Sequence, residues 1–504
     1  MVLYKGLADC KSSSINGEMK LSTLWKPPSV NSENNKALSI PILRPWDKYG
    51  RCFHFAWIGF FISFLSWYAF PPLQATITAD LDLSHNDISN ANIVGLTSTM
   101  IVRLCLGPLC DIFGPRYVMV CTLLVGAIPT ALVPLIKSKE GLFVVRFFVG
   151  FLGGTFIPCQ MWNMAFFDPQ IIGLATALGG GWGDAGAGVA FFTMPAIETS
   201  MRNRGYNISD AWKFSFLVGP LILIVFFAIF MLIFGFDCPD GKWANRTRPP
   251  VSAPVTEPSS SRVSTELKKD SQVTVSNIEM GILVEEDERP KRSVLLRALK
   301  VAFHPTTLLV ALPYAVTFGG ELAIEAILGG FYQSHARNHG EQWSQQLASN
   351  WGSMIGLMNI VCRPFGGLMA DILYRKFGLV RVKKYWMLAC GLVQGIFLLW
   401  LSLDKNLSIP GLIIGLAVMA VFMEAANGAT FALVPHINKR SSGIVAGVTG
   451  AWGNVGGILF SLAFRYSTLN TNEAHYQRGL LGIAIGTLVV AIGCLFVPLS
   501  KHVS

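Results

Sequence analysis

The sequence predicts an all-α membrane protein of twelve transmembrane helices in two six-helix bundles, and three observations lead to this prediction. First, 52% of the 504 residues are hydrophobic and only 14% are charged, whereas a typical soluble domain is about 25% charged. Second, apolar runs recur from residue 52 to residue 499, each near the length of about 20 residues that a membrane-spanning helix needs. Third, arginine, aspartate and glycine-rich motifs of the first half recur in the second half at a nearly constant spacing.

Six apolar runs precede a long polar stretch and six follow it. The resulting predicted spans are 52–74, 88–109, 116–136, 142–165, 172–196, 213–236, 300–325, 348–370, 384–403, 409–435, 441–465 and 478–499.

The polar segments divide the chain. Residues 237–298 are rich in Ser, Thr, Pro, Glu and Lys, a composition that cannot bury a core and predicts disorder. This segment is either a regulatory site for a kinase or a ubiquitin ligase, for instance at Lys268 or Lys269, or a mere tether. The predicted parts are a mobile cytoplasmic arm (1–50), an N-terminal bundle (51–236), a disordered cytoplasmic loop (237–298), a C-terminal bundle (299–499) and a cytoplasmic tail (500–504).

The charges of the short loops predict the orientation. Lys and Arg residues crowd the loops at 370–384 and 436–440, whereas the loop at 75–87 carries three Asp residues. Because cytoplasmic loops carry the excess of basic residues, the two basic loops are expected in the cytoplasm. With an even number of spans, both termini lie on the same side as these loops. The membrane is expected to be the plasma membrane. The glycosylation sequons at Asn207 and Asn406 then fall outside.

The two halves repeat in parallel. Arg103 and Arg363 are 260 positions apart (363 − 103), and Asp111 and Asp371 show the same separation (371 − 111). Parallel repeats of six helices are typical of transporters whose substrate binds near the middle of the membrane, between the halves.

Two Gly-rich stretches also repeat, with the shared pattern small-Trp-Gly-Asp/Asn-x-Gly. Glycine either lets neighbouring helices approach closely or exposes bare backbone along a ligand path, and both readings stay open. The residues of interest are Gly181, Gly183, Asp184 and Gly186 in the first stretch, and Gly453, Asn454 and Gly456 in the second.

Arg103 and Arg363 lie in the middle of predicted spans, where an arginine costs about 2.5–3.5 kcal/mol to insert. One explanation is an internal ion pair with a carboxylate, for which Glu321, Glu325 and Glu424 are available. The other is a shared cavity in which two planar guanidinium groups bind a planar oxyanion. Arg146 is a third buried cation, interpreted as structural or proton-linked because the tenth span has no matching arginine. Its equivalent place in that span is expected near Glu424.

Nothing in the sequence indicates an enzyme. There is no metal-spaced cluster, phosphate loop or nucleophile motif, so we expect no catalytic residue, no metal and no cofactor. No concentrated basic patch indicates nucleic-acid binding.

At these residues the chain resembles the nitrate/nitrite porters of the major facilitator superfamily, particularly the high-affinity nitrate transporters of fungi. The resemblance covers nearly everything from Ala37 to Pro498. It is carried by the two Gly-rich stretches and by motifs such as Gly153-Gly-Thr-Phe-Ile-Pro-Cys-Gln160, Asn359-Ile-Val-Cys-Arg-Pro364 and Trp452-Gly-Asn-Val-Gly-Gly457.

The resemblance implies roles for individual residues. Arg103 and Arg363 would clamp nitrate, Phe64, Phe156 and Tyr314 would line the pocket, and Asn454 would be the polar member of the second signature. Asp184 departs from the family, which usually has Asn there, so it either pairs with a basic residue, takes part in proton coupling or alters affinity. The loops with Asp111 and Arg116, and with Asp371 and Arg375, look like the superfamily's conserved cytoplasmic loop and would be gating latches.

The function expected from this resemblance is nitrate uptake, with nitrite as a further substrate, by proton symport and alternating access in a monomer. Candidate proton carriers are Asp184, Glu321, Glu325 and Glu424. The alternatives are a nitrate/nitrite exchanger, a transporter of another anion and a non-transporting nitrate sensor.

Overall fold

The structure, a computed structural model, describes residues 21–245, 299–404, 407–438, 441–467 and 476–499. Asn406, Lys268, Lys269, most of the predicted loop and the tail from residue 500 lie outside the described residues. The described residues form twelve long helical segments. They are α1 (Lys48–Trp67), α2 (His85–Phe113), α3 (Pro115–Ala131), α4 (Lys139–Phe166), α5 (Ile172–Asn203), α6 (Ile208–Phe234), α7 (Pro305–Asn338), α8 (Met354–Phe377), α9 (Arg381–Leu403), α10 (Ile409–Ile437), α11 (Ser442–Ser467) and α12 (Tyr476–Leu495).

The all-α membrane fold predicted from the sequence is confirmed. Eleven of the segments that the structure describes are long and apolar enough to cross a membrane. The segment that does not meet this criterion, α5, has 32 residues and is therefore long enough. Its glycines and the buried Asp184 make it less apolar than the others.

Local chemistry sets the helix ends. Ser84 and Asp87 form a reciprocal capping box at the start of α2, which satisfies backbone donors that have no partner within the helix. Gly114, with φ of 86°, separates α2 from α3, and Pro115 opens α3 where its missing N–H is harmless. Gly378 ends α8 in the left-handed conformation.

Several segments depart from straight helices. The chain leaves α1 at Trp67 and continues as the short helix Gln74–Leu81. α4 contains the 3-10 turn Gly150–Thr155, and α6 contains the π-helical segment Leu217–Leu221 with Pro220. α7 runs to Asn338, well beyond the predicted end at residue 325, because its apolar buried face continues through Phe331 and Tyr332.

The halves meet through helices that the repeat makes equivalent. α5 of the first half packs against α8 of the second, and α11 of the second half packs against α2 of the first. Since α2 corresponds to α8 and α5 to α11, the two contacts are related by the internal repeat. They bring Arg103 and Arg363 to the centre of the molecule.

The predicted mobile arm is wrong for the part that the structure describes. Asn31 and Asn34 each donate a side-chain hydrogen bond of 2.9 Å to Asp168 Oδ2, and Ala37 is fully buried. Lys36 Nζ donates to the Met164 carbonyl at 2.8 Å, and burial lowers the pKa of Lys36, an effect that nearby carboxylates partly offset. The beginning of the predicted loop is folded too, since Trp243 Nε1 donates to the Asp111 carbonyl at 3.0 Å.

Replacing Asp168 with alanine is expected to release this N-terminal segment. The change leaves the Asn31 and Asn34 amides without their buried acceptor, at a cost of about 1–3 kcal/mol. Tryptic cleavage after Lys36 should therefore accelerate roughly 5- to 150-fold, measured by limited proteolysis of the purified protein. Asp210→Ala, in α6, is the control, and an unchanged cleavage rate in Asp168→Ala would contradict the docking.

Asn207 is exposed at the start of α6, where its Oδ1 accepts a 2.7 Å hydrogen bond from the Asp210 N–H. Its glycosylation stays a prediction.

Candidate functional site

Two buried arginines meet at one pair of aromatic rings. Arg103 and Arg363 are 0% and 1% exposed. The Cζ atom of Arg103 lies 5.1 Å from the ring centroids of both Phe156 and Phe318, and that of Arg363 lies 5.5 and 5.6 Å from them. The two rings are stacked at 15° with centroids 6.3 Å apart. The structure therefore places both cations against the faces of the same two rings, a favourable arrangement for desolvated guanidinium groups.

Other aromatic residues complete this cluster. Tyr314, one helical turn before Phe318 on α7, stacks on it with centroids 4.8 Å apart. Phe431 of α10 packs edge-on against Phe156 at 4.7 Å, and Phe60 of α1 lies 5.3 Å from Phe156.

Phe64 follows Phe60 by one helical turn. Its ring contacts among the described residues are to Phe60, Trp67 and Tyr68, and its role as a pocket residue stays a prediction.

Arg103 is held by backbone carbonyls. Its Nε donates to the Gly153 carbonyl in the 3-10 turn of α4 at 2.9 Å, and its Nη1 donates to the Gly450 carbonyl of α11 at 3.1 Å. Its buried Nη2 has no hydrogen-bond partner, and no ion pair to Arg103 forms, among the residues that the structure describes. A buried donor without a partner is costly, so this N–H group is available to donate a hydrogen bond to a bound anion.

Arg363 has a carboxylate partner, and that partner is Asp184. Glu321, Glu325 and Glu424, which the sequence analysis considered, form no ion pair with Arg363 in the described structure. Arg363 Nη2 also donates to the Tyr314 hydroxyl at 2.9 Å, and Nη1 lies 3.3 Å from Asn359 Oδ1. Asp184 itself is 2% exposed.

The signature glycines let helices touch. A β-carbon on Gly181 would meet the Asn359 carbonyl oxygen, and one on Gly186 would meet the Phe61 carbonyl oxygen. On α11, a β-carbon on Gly456 would meet the Ala315 carbonyl oxygen. Gly183 and Gly453 make the same kind of contact with aromatic rings: Phe60 for the first, Phe318 and Tyr314 for the second.

Two neighbouring glycines instead face the arginines. A β-carbon on Gly180 would lie 3.2 Å from Arg363 Nε, and one on Gly450 would lie 3.2 Å from Arg103 Cδ. Close approach of helices is thus observed for the signature glycines, and the ligand path stays a prediction. Gly180 and Gly450 each lie against the arginine of the opposite half.

A chain of polar side chains leads away from Arg363. Glu321 accepts 2.8 Å hydrogen bonds from the Asn359 and Asn427 amides. The Asn427 amide also donates to Glu424 Oε2 at 3.4 Å, so one amide joins the two carboxyl groups. All of these residues are buried.

A cavity of about 500 Å³ opens at one end of the bundle. Its walls come from the short helix Gln74–Leu81, from the start of α2 and from α7. Glu325, one helical turn from Glu321, lines this cavity and lies near Tyr68.

The opposite end of the bundle is closed by two aspartates that cross between the halves. Asp371 of α8 accepts a 2.8 Å hydrogen bond from the Leu174 N–H at the start of α5. Asp111 of α2 approaches the start of α11, where a β-carbon on Gly443 would lie 2.7 Å from Asp111 Oδ1. A carboxylate at a helix N-terminus is stabilised by the helix dipole.

Two ion pairs lie at this end of the bundle. Asp371 pairs with Lys383 at 2.9 Å. Arg116 pairs with Asp237 at 3.1 Å, within its own half.

Arg146 of α4 is bound to the start of α2. Its Nε donates to the Ala91 carbonyl at 3.4 Å, it contacts Asn92, and its Cζ lies 4.8 Å from the centroid of Phe70.

Sequence reasoning missed Phe318, Asn359 and Phe60. A signal existed for the first two, because Phe318 follows Tyr314 by four residues and Asn359 precedes Arg363 by four. Residues four apart on a helix share a face. Phe60 and Phe64 share a face as well, and only the depth of α1 in the bundle distinguishes them.

Comparison with known proteins agrees with this architecture. The sequence model of the Major Facilitator Superfamily matches residues 56–461 of this chain. The "High affinity nitrate transporter 2.5" of Arabidopsis thaliana is 31% identical, over 94% of this chain and 87% of that protein. The "Elsinochrome transporter 1" of Elsinoe fawcettii is 30% identical, over 96% of this chain and 100% of that protein.

A solved structure shows the same fold. The fucose:proton symporter of E. coli superposes with a TM-score of 0.58 at 13% identity, covering 90% of this chain and 100% of that one. The fold, the buried arginines and these relatives make the protein a membrane transporter and not an enzyme. The chain therefore belongs to the Major Facilitator Superfamily and, within it, to the nitrate/nitrite porter family.

Proposed function

We propose that the protein takes up nitrate, and also nitrite, by proton symport with alternating access. The observation that carries the proposal is the pair of buried arginines at the Phe156 and Phe318 rings, of which Arg103 has an unpartnered Nη2. A guanidinium is planar, always charged and matched to oxyanions in fork geometry. A small flat anion between two such groups and beside ring faces suits this cluster. Several relatives are named as nitrate transporters.

The energy of uptake requires coupling. Moving one negative charge into a cell against 100 mV costs about 2.3 kcal/mol. A symporter that carries more than one proton per nitrate turns this cost into a driving force. Such coupling needs titratable groups near the anion.

The polar chain from Glu325 to Arg363 supports a proton route. Glu325 lines the cavity, and the Asn427 amide joins Glu321 to Glu424 behind it. Because like charges so close together oppose each other, we assign a transported proton to this pair. Asn359 links Glu321 to Arg363, which connects proton occupancy to the arginines.

Alternating access is supported by the difference between the two ends of the bundle. One end opens into the cavity, and the other is closed by the Asp371 and Asp111 contacts between the halves. The described residues of the closed end carry Arg116, Arg375 and Lys383, so the positive-inside rule makes it cytoplasmic. In this proposal the cavity is open to the outside of the cell. The plasma membrane and the monomeric state stay predictions.

Replacing Glu321 with glutamine is expected to uncouple nitrate from protons while nitrate exchange persists. Glutamine preserves the shape but cannot carry the proton. Each coupled proton lost lowers the achievable nitrate accumulation by about 50-fold at 100 mV. Accumulation and counterflow of labelled nitrate in proteoliposomes measure the two activities, and Glu341→Gln in the exposed loop is the control. Full accumulation by Glu321→Gln would exclude this glutamate as a proton carrier.

The test of the whole proposal is nitrate-dependent current in cells that lack their own nitrate carrier. Inward positive current with nitrate supports symport, whereas electroneutral nitrate/nitrite exchange supports the exchanger. Signalling without flux supports the sensor. Because one relative is named for elsinochrome, elsinochrome, chlorate and small carboxylates should be included as competitors. If a competitor inhibits uptake of labelled nitrate at a lower concentration than unlabelled nitrate does, that competitor is the preferred substrate.

A further inference from the structure

The internal repeat is broken at one position of the arginine cluster. Gly180 faces Arg363 and Gly450 faces Arg103, and these glycines are 270 positions apart (450 − 180). Asp184 and Asn454 show the same separation (454 − 184), so each follows its glycine by one helical turn. The same place therefore holds a carboxylate in one half and a neutral amide in the other.

The two sides of the cluster differ in charge as a consequence. Asp184 pairs with Arg363. Asn454 instead donates a 3.1 Å hydrogen bond to the Gly450 carbonyl and leaves Arg103 without a carboxylate. One guanidinium of the pair thus has a resident anion, and the other does not.

We propose that the Asp184 carboxylate is a built-in counter-anion that nitrate displaces from Arg363, so that nitrate binding at this site requires a proton on Asp184. This inference rests on the proposed function. While Asp184 is ionised, an anion at Arg363 meets a like charge on the same guanidinium, which opposes binding. Protonation removes that repulsion and frees Arg363 to hold nitrate together with Arg103.

The same competition provides a means of release. When the site faces the cytoplasm and Asp184 loses its proton, its carboxylate returns to Arg363 and expels the nitrate. The proton and the nitrate bind together and leave together, which is the linkage that a symporter needs.

The surroundings of α5 contain few other groups that could take this role. α1 presents the Phe60 ring and the Phe61 backbone, and α8 presents Arg363 and Asn359. Among the described residues, the titratable and charged groups of the neighbouring helices that face this region are Arg363 of α8, Tyr314 of α7, Glu424 of α10, Cys159 of α4 and, across the cluster, Arg103 of α2.

The test is proton uptake on nitrate binding, measured by isothermal titration calorimetry with the purified full-length protein. Nitrate is titrated at neutral pH in two buffers of different ionisation enthalpy. Wild type is expected to take up about one proton more per nitrate than Asp184→Asn. Correspondingly, the nitrate Kd of wild type should weaken up to about tenfold more per unit rise in pH than that of the variant.

Two features keep the result interpretable. Asn at this place is already accommodated in the other half as Asn454, and Glu198→Gln removes a buried carboxylate from the far end of the same helix as a matched control. If Asp184→Asn does not fold, wild type alone still tests the inference, since nitrate binding without proton uptake would overturn it.

The failures are distinguishable. Nitrate binding with equal proton uptake in wild type and Asp184→Asn would overturn the role of Asp184 and leave the nitrate site standing. No nitrate binding by folded wild type would overturn the proposed function together with this inference.

Discussion

Replacing Arg103 with alanine is expected to abolish nitrate uptake while the protein still folds. Truncating one partner of a buried charged contact costs about 2–5 kcal/mol of binding, which corresponds to roughly 30- to 5,000-fold weaker nitrate affinity. Folding survives because Arg103 has no carboxylate partner that the change would strand in the described structure. Uptake of labelled nitrate, normalised to surface expression, measures the effect.

Arg363→Ala is expected to behave differently. This change leaves the buried Asp184 carboxylate without its cation, and an uncompensated buried charge destabilises a protein by about 3–5 kcal/mol. Arg363→Ala should therefore reduce the amount of folded protein as well as uptake, and adding Asp184→Asn should restore folding but not uptake.

Lysine at position 103 should also fail, by at least about tenfold, because it keeps the charge but loses the planar fork. Arg202→Ala, an exposed arginine near the end of α5, is the control for expression. Normal uptake by Arg103→Ala would return this arginine to a structural role.

The second large effect is expected at a signature glycine. A β-carbon on Gly456 would meet the Ala315 carbonyl oxygen on α7, and helix backbone cannot move aside locally. Alanine at 456 must therefore push α11 away from the turn that carries Tyr314 and Phe318. Overpacking of this kind costs about 1–3 kcal/mol or more, and it should lower both the melting temperature and nitrate uptake.

Gly493→Ala is the matched comparison. A β-carbon there meets no atom within 4 Å, and alanine favours a helix over glycine by up to about 1 kcal/mol. This variant should melt at the wild-type temperature or above. Equal melting temperatures for Gly456→Ala and Gly493→Ala would contradict the close contact between α7 and α11.

The helices and the central position of Arg103 and Arg363 follow from features that a single sequence displays. Apolar runs of bilayer length identify the spans, and the 260-residue repeat (363 − 103) places both arginines at equivalent depths. Neither feature depends on how one half is rotated against the other. The fold could therefore be predicted without the structure.

The partners of these residues could not be predicted in the same way. Whether Arg363 pairs with Asp184 or with a glutamate depends on contacts between α5 and α8, which lie in different halves. The depth of α1 decides whether Phe60 or Phe64 contacts Phe156. Likewise, the polarity of residues 1–50 predicts a mobile arm, because composition does not reveal the docking of Asn31 and Asn34 on Asp168.

The most direct test of the nitrate site is the position of nitrate in an experimental structure determined at saturating nitrate. We expect a trigonal anion in contact with both the Arg103 and Arg363 guanidinium groups, beside the Phe156 and Phe318 rings, with Asp184 withdrawn from Arg363. Nitrate bound elsewhere, or bound to one arginine while the Asp184–Arg363 pair stays intact, would contradict it.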